Sequence, residues 1–138
     1  MNSINIEGTP KTPRIVFSAE KGELEISGKS IPENSVEFYQ PIYSWIDEYS
    51  QSPMKTTVVK IQLEYFNTSS SKCLLDIFRK LESLQKSGKS EVTINWLYED
   101  EDEDMMEAGE DYQTIVRIPF KISKAIGFGE KITGGFRK

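Results

Sequence analysis

Residues 57–66 constrain the fold most: Val59, Ile61, Leu63 and Tyr65 alternate with Lys60, Gln62 and Glu64. A strand points successive side chains to opposite faces, so this pattern predicts a β-strand with one buried and one wet face. Leu74, Ile77, Phe78, Leu81 and Leu84 follow at spacings of three and four, which predicts an amphipathic helix stopping at Gly88. Val92, Ile94, Trp96 and Tyr98 then alternate with Thr93 and Asn95, although Leu97 breaks the polar side. Together the three segments read as one strand-helix-strand crossover.

On the N-terminal side, residues 14–17 and 22–26 carry short apolar stretches separated by Ser18-Ala19-Glu20-Lys21, which suggests a hairpin, and Gly28 breaks the second stretch. Ile31-Pro32-Glu33-Asn34-Ser35 is helix-start chemistry, followed by Val36, Tyr39, Ile42, Ile46 and Tyr49 at helical spacing with Trp45 adjoining. Pro41 interrupts this pattern; either the helix is kinked there or its regular part begins near Gln40, the reading favoured here. On the C-terminal side, Tyr112, Thr114, Val116, Ile118 and Phe120 alternate and read as a further strand. Strands covered on both faces are continuous apolar runs, whereas these alternate. The predicted class is therefore α/β, a two-layer mixed β-sheet with helices mainly on one face and a partly polar open face opposite.

The chain has 138 residues, enough for a single domain over residues 1–138 with residues 1–12 and 127–138 as loose termini. The tail holds four glycines and reads equally as a loose end or a partner's handle. No apolar stretch approaches the roughly 20 residues of a membrane helix, and residues 1–12 lack a signal-peptide core, so a cytoplasmic protein without membrane insertion is expected. The chain has no histidine, which removes the imidazole base of the common catalytic triads. Its one cysteine, Cys73, has no second thiol to pair with and reads as a packing residue. Ser-Gly-Lys-Ser occurs twice, at 27–30 and 87–90, but the earlier glycine of a phosphate-binding loop is replaced by Glu23 and Ser83. Neither copy is read as a nucleotide site, and no cofactor is expected.

A net charge of −5 argues against a nucleic-acid partner. The charge is uneven: residues 99–104 are six consecutive acids, and the remainder sums to about +1. Such a run is expected to form a solvated, mobile loop between two strands. It lacks the glycine and alternating ligands of a calcium loop, so a partner's basic patch is a better use for it than a metal. The paired carboxylates Glu110 and Asp111 lie at the expected loop edge with no evident pocket, so an enzyme is not expected.

Between the predicted central strand and its helix stands Asn67-Thr68-Ser69-Ser70-Ser71-Lys72, with four adjacent hydroxyls where a helix must start. Helix starts present unpaired N–H groups and a positive dipole end, which accept a capping hydroxyl or a phosphate attached to one. From these residues alone both readings stand, and capping needs only one of the four.

Four stretches together resemble the SiaC-type regulatory phosphoproteins: Gly28-Lys29-Ser30-Ile31-Pro32-Glu33-Asn34-Ser35, Phe38-Tyr39-Gln40-Pro41, Tyr65-Phe66-Asn67-Thr68-Ser69-Ser70-Ser71-Lys72, and Glu107-Ala108-Gly109-Glu110-Asp111-Tyr112. The likeness covers nearly the whole chain and implies a fold similar to anti-sigma-factor antagonist (STAS-like) domains. It further implies that Thr68 is phosphorylated by a cognate protein kinase and dephosphorylated by a PP2C-type phosphatase. The unmodified form would bind and activate a diguanylate cyclase, raising cyclic di-GMP and promoting biofilm formation. In this reading Ser69, Ser70 and Ser71 serve capping and kinase recognition, Asn67 shapes the turn, and Lys72 lies near the phosphate. Glu107, Glu110 and Asp111 either contact a partner or end the acidic loop. The alternative is an unphosphorylated adaptor that docks a basic partner through its acidic loop or open sheet face.

Overall fold

A computed structural model of the chain describes residues 2–125. Its strands form one six-stranded sheet in sequence order: β1 (Ile4–Ile6), β2 (Arg14–Ser18), β3 (Glu23–Ser30), β4 (Thr56–Phe66), β5 (Glu91–Tyr98) and β6 (Phe120–Lys124). The first three pair antiparallel, with Ile15 opposite Ile26 and Phe17 opposite Leu24, so the expected hairpin is present. From β3 to β6 all pairs are parallel, and each parallel step needs a crossover. Helices α1 (Ser35–Tyr49), α2 (Thr68–Lys86) and α3 (Glu103–Ile115) supply them. Of the two predicted loose termini, residues 1–12 are not loose throughout, since they supply β1, with Ile4 opposite Phe17, and Asn2 O accepts the Trp45 indole N–H at 2.9 Å; residues 127–138 lie outside the described residues.

Buried strand positions fall on one parity. Ile15, Phe17, Leu24, Ile26, Val59, Ile61, Val92, Ile94 and Trp96 join helix residues such as Tyr39, Ile46, Leu74, Phe78 and Leu81 in one core. On the other parity Glu25, Val58, Gln62, Thr93 and Asn95 are half-buried and Lys60 is exposed. The sheet is therefore mixed and helix-covered on one face, as the alternation predicted. Cys73 lies in the core, 3% exposed.

Four further local expectations are corrected. Gly28 does not end β3; it adopts φ +101° and the strand continues to Ser30. There the register slips: Gly28 pairs with Leu63 but Lys29 with Tyr65, leaving Glu64 as an extra residue in β4. This bulge inverts the following side chains. Tyr65 is turned outward, 57% exposed, instead of sharing the buried face, and Phe66 turns inward, edge-on to Trp96.

Second, α1 begins at Ser35 and runs through Pro41. Asn34 Oδ1 accepts the Glu37 N–H at 3.1 Å, closing a first turn that does not involve the proline. Proline removes one N–H whose acceptor would be Glu37, and both residues are exposed, so water can serve that carbonyl. Third, Ser35 rather than Val36 fills the first buried position of α1, and Val36 stands 66% exposed.

The fourth correction is the largest. Residues 99–104 are not simply a solvated loop between strands, and Tyr112, Thr114 and Val116 are not in a strand. Asp102 caps α3, accepting the Met105 N–H at 3.0 Å, and Glu103 and Asp104 occupy its first turn, where carboxylates offset the helix dipole. Met105, Gly109 and Tyr112 form the buried stripe of that helix. Gly109 presses on Trp96 so closely that a Cβ would stand 2.5 Å from Trp96 Cδ1. The Trp96 indole N–H donates to Met105 O at 2.9 Å, fixing α3 to the sheet.

Candidate functional site

Because β3, β4 and β5 are parallel, their carboxyl ends lie at one edge of the sheet, and α1, α2 and α3 all start there. That edge is where open α/β sheets place their sites. The hydroxyl row of α2 stands at its centre, since β4 is flanked by β3 and β5.

Asn67 caps α2. Its side-chain carbonyl accepts the Ser70 N–H at 2.9 Å, and its backbone N–H donates to Ser30 O at 3.0 Å. The expectation that one of the four hydroxyls caps the helix is thus replaced by an Asn cap, with a carbonyl oxygen in the same role. The serines are used otherwise. Ser70 is fully buried; its hydroxyl donates to Ser30 O at 2.9 Å and accepts from Ser30 Oγ at 2.8 Å. Ser30 has a single hydroxyl proton, so the 2.6 Å contact between Ser30 Oγ and Tyr39 is donated by the tyrosine. Burial pushes the Tyr39 phenol up to about 12, which keeps that donor protonated. Ser69 Oγ lies 2.6 Å from Ser35 Oγ and donates to Asn67 Oδ1 at 3.2 Å. Ser71 Oγ donates back to Thr68 O at 2.6 Å, and Tyr112 of α3 donates to Ser71 O at 2.8 Å.

Thr68 is the exception. It is exposed, it is the first residue of α2, and among the described residues its hydroxyl makes no hydrogen bond. Lys72 is exposed one helical turn on, on the same side of the helix. The first turn of α2 carries no acidic residue, whereas Glu37 stands in that of α1 and Glu103 and Asp104 in that of α3. Two exposed apolar side chains flank this edge in sequence, Val36 next to Ser35 and Tyr65 at the end of β4. Beside Tyr65 a cavity of about 300 Å³ is lined by Glu64, Phe66, Asp102, Asp104, Met105 and Ala108.

The structure therefore brings Asn67, Thr68, Ser69, Ser70, Ser71 and Lys72 together at one helix start. Glu107, Glu110 and Asp111 share one exposed face of α3, at spacings of three and one, and no hydrogen bond or ion pair among the described residues links them to the hydroxyls. Of the acidic run, Asp102 is a cap and Asp100 pairs with Lys124 at 2.8 Å. Among the described residues no cluster of three ligating side chains could hold a metal. Sequence reasoning put Ser35 at the start of α1 and Tyr39 on its apolar stripe, but gave neither of them, nor Ser30, a part in anchoring the start of α2. Ser30 had a usable signal, a polar residue on the inward parity of β3 after Leu24 and Ile26.

Comparison with known proteins places this geometry. A protein of Pseudomonas aeruginosa (strain UCBPP-PA14), itself uncharacterized, is 31% identical over 122 residues, 88% of this chain and 96% of that one. The structure of SiaC of P. aeruginosa superposes with a TM-score of 0.82 at 30% identity, covering 91% of this chain and all of that one. A crystal structure of the diguanylate cyclase SiaD with its activator SiaC, from the same species, holds a chain matched at TM-score 0.83 and 30% identity, over 88% of this chain and 99% of that one. The model of the SiaC family regulatory phosphoproteins matches residues 6–125. This chain belongs to the SiaC family of regulatory phosphoproteins.

Proposed function

We propose that this protein is a phosphorylation-controlled signalling regulator whose switch is the hydroxyl of Thr68. The observation that carries the reading is the contrast within one helical turn: Thr68 is exposed and its hydroxyl has no partner among the described residues, while the three hydroxyls after it are each engaged. A phosphate on Thr68 breaks no intramolecular bond. It adds about −1.5 to −2 charge and three acceptor oxygens at pH 7, at the one helix start of the three without a first-turn carboxylate. The fold tolerates the modification, and its effect falls on whatever docks there.

In the unmodified form the docking partner is a diguanylate cyclase, which the protein binds and activates without catalysing a reaction itself. The SiaC chain complexed with a diguanylate cyclase supports this, as does the exposure of Val36 and Tyr65, which stand on elements that begin or end at the same sheet edge as Thr68. A partner fitted to that neutral surface would have to bury the dianion, and an unpaired buried charge costs several kcal/mol, on the order of a hundredfold in affinity. A cognate kinase adds the phosphate and a PP2C-type phosphatase removes it, in the cytoplasm. Docking of a basic partner through residues 99–104 has less to work with, since Asp102 and Asp100 are already committed to a cap and an ion pair.

The test is phosphorylation with the cognate kinase and ATP, followed by calorimetry against the cyclase. One phosphate is expected, on Thr68, and none on Thr68→Ala. The unmodified protein and Thr68→Ala should bind the cyclase alike, Thr68→Asp more weakly, and the phosphorylated protein at least about tenfold more weakly. Label at another residue, or equal affinity of the phosphorylated and unmodified proteins, removes the switch.

A further inference from the structure

Thr68 and Ser69 are both exposed at the start of α2, yet their hydroxyls are held differently. The Ser69 proton reaches Asn67 Oδ1, so the 2.6 Å contact with Ser35 has Ser35 as donor and Ser69 Oγ as acceptor. Ser35 is 4% exposed and is the first residue of α1, so it cannot swing clear without disturbing the junction of the two helices. We infer that Ser35 is a specificity-determining residue: it latches Ser69 and so confines phosphoryl transfer to Thr68. The inference rests on the reading of Thr68 as phosphoacceptor and adds how the adjacent hydroxyl is excluded.

Transfer to a serine requires Oγ to attack the γ-phosphorus of ATP. The Oγ–P bond forms as the bond from that phosphorus to the β,γ-bridging oxygen breaks, ADP leaves, and the hydroxyl proton passes to a carboxylate base of the kinase. Ser35 occupies one of the two lone pairs of Ser69 Oγ and Asn67 holds its proton, so Ser69 must turn away from both to enter a kinase active site. Each such bond, at its usual net worth, is a handicap of about fivefold. The product is disfavoured as well, because a phosphate takes the place of the proton that Ser69 gives to Asn67. Thr68 faces neither obstacle. Ser70 is excluded by burial, and Ser71 is half-buried with its proton on Thr68 O.

The experiment uses full-length chains and the cell-extract kinase activity that labels the wild-type protein, with ATP as donor and fragment mass spectrometry to place the phosphate. Thr68→Ala should stay at background. Thr68→Ala with Ser35→Ala should gain label on Ser69, about fivefold or more above Thr68→Ala, and adding Ser69→Ala should abolish it. Ser35→Thr in the Thr68→Ala background keeps a hydroxyl and should return Ser69 to background, which a merely loosened helix junction would not do. Ser35→Cys, near-isosteric with a weak donor, gives the same readout if Ser35→Ala does not fold. Label on Ser69 that is no greater without the Ser35 hydroxyl, or equal for Ser35→Thr and Ser35→Ala, overturns the latch. A wild-type chain labelled away from Thr68 is a separate result: it sinks the phosphoswitch itself and the latch with it.

Discussion

Replacing Gly109 by alanine would favour an isolated helix by about 1 kcal/mol, yet in this protein it should destabilise. The added Cβ would meet Trp96 at 2.5 to 3.0 Å, against an aromatic ring that is itself fully buried and cannot yield. Overpacking of that kind costs about 1–3 kcal/mol, so the net effect on Gly109→Ala is a lower urea midpoint, with a red-shifted Trp96 emission as α3 lifts. The same residue shows why the site was only half legible. Thr68 and its neighbours stood out because adjacent hydroxyls at a helix start have a stated use. Ser30, Ser35 and Tyr39 did not, because a buried hydroxyl is identified by its partner, and those partners lie 40, 34 and 9 residues away. Gly109 was quoted within a landmark, but a close approach to an indole ring has no signature in a single sequence.

At the scale of elements, β4, α2 and β5 were readable because each has only one period in which its apolar residues align. The segment after β5 has two. Tyr112, Val116, Ile118 and Phe120 are all buried and all even-numbered, so they fit a strand, although Tyr112 lies in the last turn of α3 and Phe120 opens β6. What settled the matter was Met105 and Gly109, hidden behind an acidic run whose last members in fact start the helix. Glu82 of α2 shows how this misread segment is fastened. Its carboxylate accepts the Arg117 N–H and pairs with Arg79 at 2.9 Å. Burial alone would raise its carboxyl, but these donors outweigh burial and hold it below the ordinary 4.5. A depressed folded value means stability that is present above about pH 4.5 and lost as pH falls through the folded value. Glu82→Gln should therefore cost about 1 kcal/mol at pH 7 and flatten the loss of stability between pH 6 and pH 3, measured by urea unfolding at each pH. An unchanged pH profile would show that other carboxylates carry the dependence.

For the whole molecule, the parallel half of the sheet decides everything that follows, because it delivers three helix starts to one edge and leaves the opposite sheet face bare. The exposed apolar residues Val36 and Tyr65 belong to elements that end or begin at that edge. Val36→Glu and Tyr65→Ala should each lower affinity for the cyclase by about tenfold or more in calorimetry, while thermal unfolding moves by no more than about 0.5 kcal/mol. A loss of stability matching the loss of affinity would mean that these side chains serve the fold instead. The chain's only thiol, sealed in the core at Cys73, has a practical corollary. Maleimide chemistry on Lys60→Cys, in the middle of the uncovered side of the sheet, would attach a single dye to the native protein. A reporter placed there lies off the sheet edge where the three helices start, so the proposed docking at that edge can be followed by fluorescence without altering it.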